Sequence, residues 1–559
     1  MRTLILAGAA LVAAQTMAAE DALPFMIQRY RAPQNYAPGV WEATVEELAK
    51  HPGCADEVWF STGVGFPPVA WHVAQAERLK RHSQDLRRLG IRPSLEFQAI
   101  FGHGDSVVRG RKADISGKTW TGWTLESGTE TKACNCPRNP DFRTYVSKIA
   151  AIYGACGFDS VWLDDDFRIG WHQPVPAEKT MSGCFCARCV ADFAQRENRG
   201  FTRATLVAAL KADAKLLDRW EAYTYDSLAE VAELIARTVH AHSPRTRFGF
   251  QHGYFDRPYQ LKIYDALVRH SDGFGVGSRP GGGAYFDHNP FDILGKIQDG
   301  GLQMSVLGLP NEKVTLVCPE IENCPRNFYT KTARGVIFEA LMNLAQGMNA
   351  LSFFLVDPTD ESQRWYGDTY YAPLAEAAPK LRAYCDLNRG TLPGGIRLKA
   401  GVPPALAAVG IPMTTAPAYA CVEGLDALGL SPEDLNMGWG KSSAAIRKIA
   451  DAADRVSGGK MPVRFLGPVK AMVTPRVTAA GELRSVALVN ASIDVQPPVK
   501  LALRGLPAGT KTLCWTPLTG SLGADPAKLP VCTEGEETYV TLPAVDAGAC
   551  GYLAPVDVK

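Results

Sequence analysis

Between residue 24 and about residue 390, short β-rich runs alternate with amphipathic helical patterns, and that alternation leaves few folds open. The runs are 24–29, 56–61, 93–99, 160–164, 247–251, 273–277, 315–320 and 350–356. Helical patterns lie between them at 75–89, 141–154, 204–242, 259–270, 331–347 and 371–388. A β-run, a helix and a second β-run favour parallel pairing. Eight such runs fit a (β/α)8 TIM barrel with long loops, assigned to 20–392. A doubly wound open sheet is the competitor. No G-x-G-x-x-G turn follows the first run to support it, and Gly281-Gly282-Gly283 reads as a flexible loop.

Past the barrel the pattern changes. Residues 393–462 hold Pro403-Pro404, an apolar run at 405–411 and helical patterns at 420–428 and 444–456, which suggest a small α/β domain. From 463 to 559, short alternating runs at 486–490, 500–503, 512–515, 537–542 and 551–554 are separated by Gly/Pro turns, the pattern of a β-sandwich.

Residues 1–19 read as a signal peptide. Arg2 precedes an apolar run from Thr3 to Val12, and Thr16-Met17-Ala18 or Ala19 offers a small-residue cleavage site. The run is too short to span a bilayer, and no later segment is apolar for long enough to do so. A periplasmic or secreted protein is expected. With 59 Lys+Arg against 58 Asp+Glu the net charge is +1, which carries no signature of nucleic-acid binding. The fourteen cysteines cluster at 134–136, 184–189 and 318–324, unlike a dense disulfide scaffold; Cys514, Cys532 and Cys550 leave room for one pair.

The chemistry concentrates at two strand ends. The fourth run closes on Asp164-Asp165-Asp166, at the carboxyl end where barrel enzymes build their sites. Three adjacent anions persist only if cations, hydrogen bonds or a raised pKa relieve them, and a raised pKa is what a general acid requires. The same run also fits a solvated loop neutralised by Arg168, or ligands of a hard cation such as calcium. The seventh run closes on Glu320-Ile321-Glu322, whose two carboxylates share a face if the strand continues. Carboxylates facing each other across a barrel mouth from strands four and seven are the arrangement for glycosidic bond cleavage. About twenty residues after the Asp run comes Cys184-Phe185-Cys186-Ala187-Arg188-Cys189, a spacing tight enough for a structural metal.

These segments resemble glycoside hydrolase family 42, the zinc-containing β-galactosidases. Cys136-Pro137-Arg138-Asn139-Pro140-Asp141-Phe142-Arg143 is similar to the family's C-P-x-x-P-x-[YF]-R segment. Cys184 to Cys189 followed by Phe193 is similar to its C-x-C-x2-C-x3-F segment, and Glu322-Asn323-Cys324-Pro325 to its E-x-x-P nucleophile segment. The resemblance implies Glu322 as nucleophile and Asp166 as general acid/base. Asp165 stands where the family's Asn contacts the sugar 2-hydroxyl, and Glu320 is a substrate-side or supporting group. It implies structural Zn2+ on Cys136, Cys184, Cys186 and Cys189, with Cys134 as an alternative fourth ligand and a disulfide within 184–189 as the competing use of those thiols. It also implies a homo-oligomer, a trimer. The family has Asp-Asn-Glu where this chain has three aspartates. Asp is one methylene shorter than Glu, which widens the carboxyl separation toward the inverting range.

Polar and aromatic residues at the same predicted end complete the candidate site. Arg29 and Arg31 follow strand one, Trp120 and Trp123 strand three, Trp171-His172 strand four, Gln251-His252 strand five, Arg279 strand six and Trp365-Tyr366 strand eight. Arg29, Trp120, His252, Arg279 and Trp365 are the expected substrate contacts. The arginines suit either an anionic sugar or neutralisation of the Asp run. The reading is an exported β-galactosidase-like glycoside hydrolase acting on an oligo- or polysaccharide, and the nucleophile assignment implies retention. A catalytically silent carbohydrate-binding barrel, or an inverting enzyme on an anionic glycan, is the alternative.

Overall fold

The computed structural model describes residues 23–32, 36–103, 114–168, 181–253, 258–273, 275–288, 290–327, 329–356, 367–398, 407, 409–414, 420–422, 451–520 and 526–556. The expected signal peptide, Trp171-His172, Trp365-Tyr366 and much of 393–462 lie outside the described residues.

The alternating runs form a parallel barrel. Strands β1 (Phe25–Tyr30), β2 (Glu57–Ser61) and β3 (Arg92–Phe97) pair in chain order. An antiparallel hairpin, β4 (Gly122–Thr124) with β5 (Glu130–Asn135), precedes β6 (Ser160–Leu163), β7 (Arg247–His252) and β8 (Val276–Pro280). The seventh barrel strand is broken: β9 (Val314–Val317) pairs with β8, and β10 (Glu320–Glu322) pairs with β11 (Ala350–Phe354). Pro319, between the halves, has no N–H to give a ladder. β11 pairs with β1, and Asn349 N–H donates to Val317 O at 3.1 Å, so the ring closes.

The helices between strands follow local signals. Asn139 caps α3 (Pro140–Gly154) by accepting from Asp141 and Phe142, with Pro140 at the first helical position. Helices α1 (Val40–Lys50) and α2 (Val69–Arg88) precede it. After α4 (Ala187–Arg196), the pattern expected as one helix over 204–242 divides into α5 (Arg203–Ala212) and α6 (Ala214–His240). Asp213 is extended there and caps α6. The remaining barrel helices are α7 (Leu261–Val268), α8 (Pro290–Leu307), α9 (Ala333–Ala345) and α10 (Ala372–Leu387).

Beyond the barrel, Ile396–Leu398 pairs in parallel with Ala420–Val422, a strand where a helix was expected. The C-terminal region is the expected antiparallel sandwich, with a six-stranded and a four-stranded sheet. It packs on α9, which is buried from Gly335 to Ala345. Arg476 Nη1 donates to Ala345 O at 3.1 Å, and Arg334 Nη1 to Ala547 O at 2.7 Å. The C-terminal cysteines Cys514, Cys532 and Cys550 are unpaired.

Inside the barrel the side chains stack in layers, because inward residues recur every second position. The lower layer is apolar: Ile27, Trp59, Trp162, Cys318 and Ala350, with the two indoles 4.2 Å apart. Trp162 lies across the neighbouring strands at Gly249 and Gly277, where a Cβ would meet its ring at 2.2 Å. Two residues further along each strand the layer turns polar: Arg29, Glu96, Asp164, Gln251, Arg279 and Glu320, all buried.

Candidate active site

The polar layer is the floor of the site, and it is tied together by charge. Arg29 Nη2 donates to Glu96 Oε1 at 2.6 Å, and Gln251 Nε2 donates to the same oxygen at 2.7 Å. Arg279 Nε donates to Gln251 Oε1 at 2.5 Å, and its Nη1 lies 2.8 Å from Glu320 Oε1. Arg29 Nη1 stands 3.6 Å from that same Glu320 oxygen. Burial alone would raise the Glu320 pKa, but Arg279 and Arg29 outweigh burial and the nearby Asp165 and hold it below the ordinary value.

Above the floor the carboxylates divide. Glu322 lies on the same strand face as Glu320, one residue pair nearer the mouth, and Arg326 Nη1 donates to its Oε1 at 3.0 Å. The Arg326 guanidinium covers the Phe354 ring at 4.1 Å. Burial and the Glu320 charge raise the Glu322 pKa against Arg326 and Arg29. Tyr285, after β8, has its phenol pKa raised first by Glu320, then by burial and by Glu322 and Asp165, so strand-four and strand-seven charges converge on one ring.

The Asp run makes a turn closed by Phe167 N–H to Asp164 O at 3.0 Å. Its members have three different environments. Asp164 accepts from Ala99 N–H at 3.2 Å; burial, then Asp165, Glu96 and Asp166, push its pKa well up. Burial would raise Asp165 too, but Arg168, Arg279 and Arg29 outweigh it and hold that carboxylate ionised. Its side chain is 27% exposed, with Arg168 Nη1 at 3.6 Å. Asp166 is only 2% exposed; Oδ1 accepts from Arg168 Nη2 at 3.2 Å and Oδ2 meets His103 Nδ1. Burial and Asp165 raise its pKa against His103 and Arg168. The Arg168 guanidinium thus serves Asp165 and Asp166 together, the role a bound cation would otherwise fill.

The expected substrate contacts divide as well. Arg29 and Arg279 belong to the floor and are engaged by protein carboxylates. His252 is fully buried, shares a hydrogen bond with Ser278 Oγ at 3.1 Å, and is pushed down to about 3 by burial and Arg279, so it is neutral. Trp120 packs in the core against Phe66, Phe142 and Tyr145, and its Nε1 donates to Asn135 Oδ1 at 2.7 Å. Trp123 donates to Gly183 O at 2.7 Å. Trp365 lies outside the described residues. Glu96, His103, Tyr285 and Arg326 are the site residues that sequence reasoning missed; a charged residue inside the apolar third run was the legible sign for Glu96.

Searches against protein-family models and curated proteins return no match. Among solved structures, the β-galactosidase from Rahnella sp. R3 superposes with a TM-score of 0.55 at 13% identity, over 95% of this chain and 98% of that one. The fold is that of the family 42 β-galactosidases. A β-galactosidase of glycoside hydrolase family 42 from G. stearothermophilus gives 0.55 at 11% identity over 95% and 98%. The β-galactosidase from Bacillus circulans sp. alkalophilus gives 0.53 at 11% over 96% and 99%.

The cysteines gather at the connection that follows β6. Cys136, Cys184, Cys186 and Cys189 place their sulfurs within 4.8 Å of one another, with Cys136 3.4 Å from Cys189 and 3.8 Å from Cys186. Four sulfurs about 2.3 Å from a tetrahedral zinc lie about 3.8 Å apart, so the spacing fits that ion. Thr124 N–H points at Cys184 Sγ at 3.5 Å, and the other three thiols pull the Cys186 pKa down toward the thiolate. Cys134 stays outside the cluster, and no disulfide joins residues 184–189. The knot ties the β4–β5 hairpin and the start of α3 to the connection after β6, whose first residues are the Asp run.

Proposed function

We propose that this chain is a glycoside hydrolase that cleaves a terminal, neutral, β-galactoside-like sugar with retention. Glu322 is the nucleophile and Asp166 stands on the acid/base side. The reading rests on one observation: strand-four and strand-seven carboxylates lie at the same end of a barrel that superposes over nearly its whole length on β-galactosidases. Glu322 attacks the anomeric carbon while the glycosidic oxygen takes a proton from the Asp166 side; water then releases the sugar. Arg326 steadies the Glu322 carboxylate, and Asp165, ionised and open to the mouth, accepts a sugar hydroxyl. A neutral sugar is favoured because Arg29, Arg168 and Arg279 already pair with the protein's own carboxylates.

Export to the periplasm or medium, a zinc ion on the four cysteines and a homotrimer belong to the same proposal. Zinc would supply no chemistry; held by four thiolates it has no open position and pins the loop after β6. Among the described residues no helix is long and apolar enough to cross a membrane.

The engagement of both Asp166 oxygens favours a second reading, a silent carbohydrate-binding barrel. A panel of 4-nitrophenyl glycosides decides between them. Hydrolysis of the β-galactoside or a close epimer, lost in Glu322→Gln, supports the enzyme; sugar binding without turnover of any glycoside supports the silent barrel.

A further inference from the structure

Apart from the cysteine knot, a second set of metal-ligand side chains converges where α1 ends. Glu47 lies in the last turn of α1, and His51 is its C-cap. Asp368 meets them from the π-helical turn Gly367–Tyr371 that leads into α10. His51 Nε2 stands 3.6 Å from Glu47 Oε2 and 3.5 Å from Asp368 Oδ1. One ligand atom from each of the three residues lies within 4.8 Å of the other two. Ligand atoms about 2.1 Å from a tetrahedral divalent cation stand about 3.4 Å apart. A protonated histidine bridging two carboxylates would use the same residues, but such a pair closes to about 2.7–2.9 Å, and both contacts here are wider.

Two of the facing atoms are orphans. His51 Nε2 and Glu47 Oε2 are shut off from solvent, and neither has a hydrogen-bond partner among the described residues. Leaving buried polar atoms unpaired costs free energy that a shared ion would recover. Lys50 donates to the other Glu47 oxygen, Oε1, and leaves Oε2 facing His51. Gly367 packs so closely on this carboxylate that a Cβ would meet Oε2 at 2.5 Å. Asp368, by contrast, is 88% exposed, so one side of the cluster is open to water.

We propose that Glu47, His51 and Asp368 bind a divalent transition-metal cation of the zinc class, with water completing its shell. One imidazole beside two carboxylates suits such an ion better than calcium, whose ligands are oxygens. Two carboxylates against the single Lys50 ammonium leave an excess of negative charge, and the carboxyl end of α1 favours a cation there. The ion ties α1 to the π-helical turn. Within that turn Tyr370 donates to Lys331 O at 2.6 Å and accepts from Asn323 Nδ2 at 3.1 Å, and Asn323 follows Glu322. The bound cation is therefore a structural brace on the turn that holds the loop after β10.

The test uses the full chain without an affinity tag. Three protein ligands with an open side give up their ion on desalting, whereas a closed shell of four thiolates keeps it. Desalted protein is brought to one equivalent of Zn2+ per chain, which fills the cysteines, and is then titrated calorimetrically with ZnCl2. Wild type should take up one further Zn2+ per chain, and its melting temperature should rise as it does. His51→Ala should abolish that uptake. Asp368→Asn alters an exposed side chain and keeps the fold, so it decides the matter if His51→Ala does not fold. Losing this direct ligand should weaken binding at least as much as losing an outer-shell partner does, roughly 10–100-fold. Gly367→Ala, by displacing Glu47 Oε2, should weaken it as well. Wild type that binds nothing past the first equivalent would overturn the site and leave His51 as an ion-pair partner. A further equivalent bound equally by wild type and Asp368→Asn would overturn it too, as an adventitious ion only. The titration needs no substrate, so failure of this site and failure of the glycosidase reading are separate results.

Discussion

Arg279 Nη1 sits 2.8 Å from Glu320 Oε1, and this pair separates two glutamates that the sequence places side by side. Glu320 is clamped in the floor by two buried guanidiniums, whereas Glu322, whose Oε1 accepts from Arg326 Nη1, stands nearer the mouth. Glu322→Gln should therefore abolish turnover with the melting temperature nearly unchanged. Glu320→Gln should do the reverse first: it leaves Arg279 and Arg29 buried with less counter-charge, a loss of about 3–5 kcal/mol when one partner of a buried pair is removed. Thermal melts beside kcat for both variants check this. A stable Glu320→Gln with no turnover, beside an active Glu322→Gln, would exchange the two roles.

The cysteine knot should hold one zinc per chain. Elemental analysis of protein purified without chelators should show that stoichiometry, and Cys186→Ser should lower it and the melting temperature together. A strong chelator added to the unfolded chain should block refolding, since binding free energy at such a site is folding free energy. Zinc-free protein with an unchanged melt would remove the metal from the account.

Barrel packing makes a separate prediction at Gly249. A Cβ there would lie 2.2 Å from the Trp162 ring, which packs on Trp59 with ring centroids 4.2 Å apart. Gly249→Ala should cost about 1–3 kcal/mol through overpacking. Chemical denaturation measures it, and pairing the change with Trp162→Leu should recover part of the loss. A fully tolerated alanine would show that the indole pair can shift.

How far the sequence reached is clear from particular elements. The eight runs were legible because strand residues repeat every second position and turn residues bound them. The break in the seventh strand was written as Cys318-Pro319, yet its consequence, two halves pairing with different neighbours, depends on the ring closing. Helix α8 escaped notice because Gly295, Gly300 and Gly301 dilute its propensity. Trp120 carries no local mark that separates a core residue from a sugar platform; only packing on Phe66, Phe142 and Tyr145 decides it. His103 was invisible for a related reason. It lies 63 residues from Asp166, and no local pattern joins them.

Acid should weaken the barrel through its buried histidines. His72 shares hydrogen bonds with the Tyr153 and Tyr145 hydroxyls at 2.8 and 2.7 Å, and burial pushes its pKa down to about 4. The folded value lies below the unfolded one, near 6.5, so the unfolded chain binds the extra proton between them. The stability from the neutral ring is present above about pH 6.5 and is lost as pH falls toward 4. At about 1.4 kcal/mol per pH unit this amounts to a few kcal/mol. Melting curves between pH 7 and 4 should fall more steeply for wild type than for His72→Gln; parallel curves would contradict it.

The central claim is that Glu322 forms a covalent bond to the sugar. Incubation with 2,4-dinitrophenyl 2-deoxy-2-fluoro-β-D-galactoside and its gluco epimer, followed by intact-mass and peptide-level mass spectrometry, tests it directly. The account predicts one added fluoroglycosyl group per chain, on Glu322, with activity lost in step and recovered as the adduct turns over. An active enzyme that gains no adduct and releases its sugar first as the inverted anomer would contradict it, and Glu322 would then be a general base.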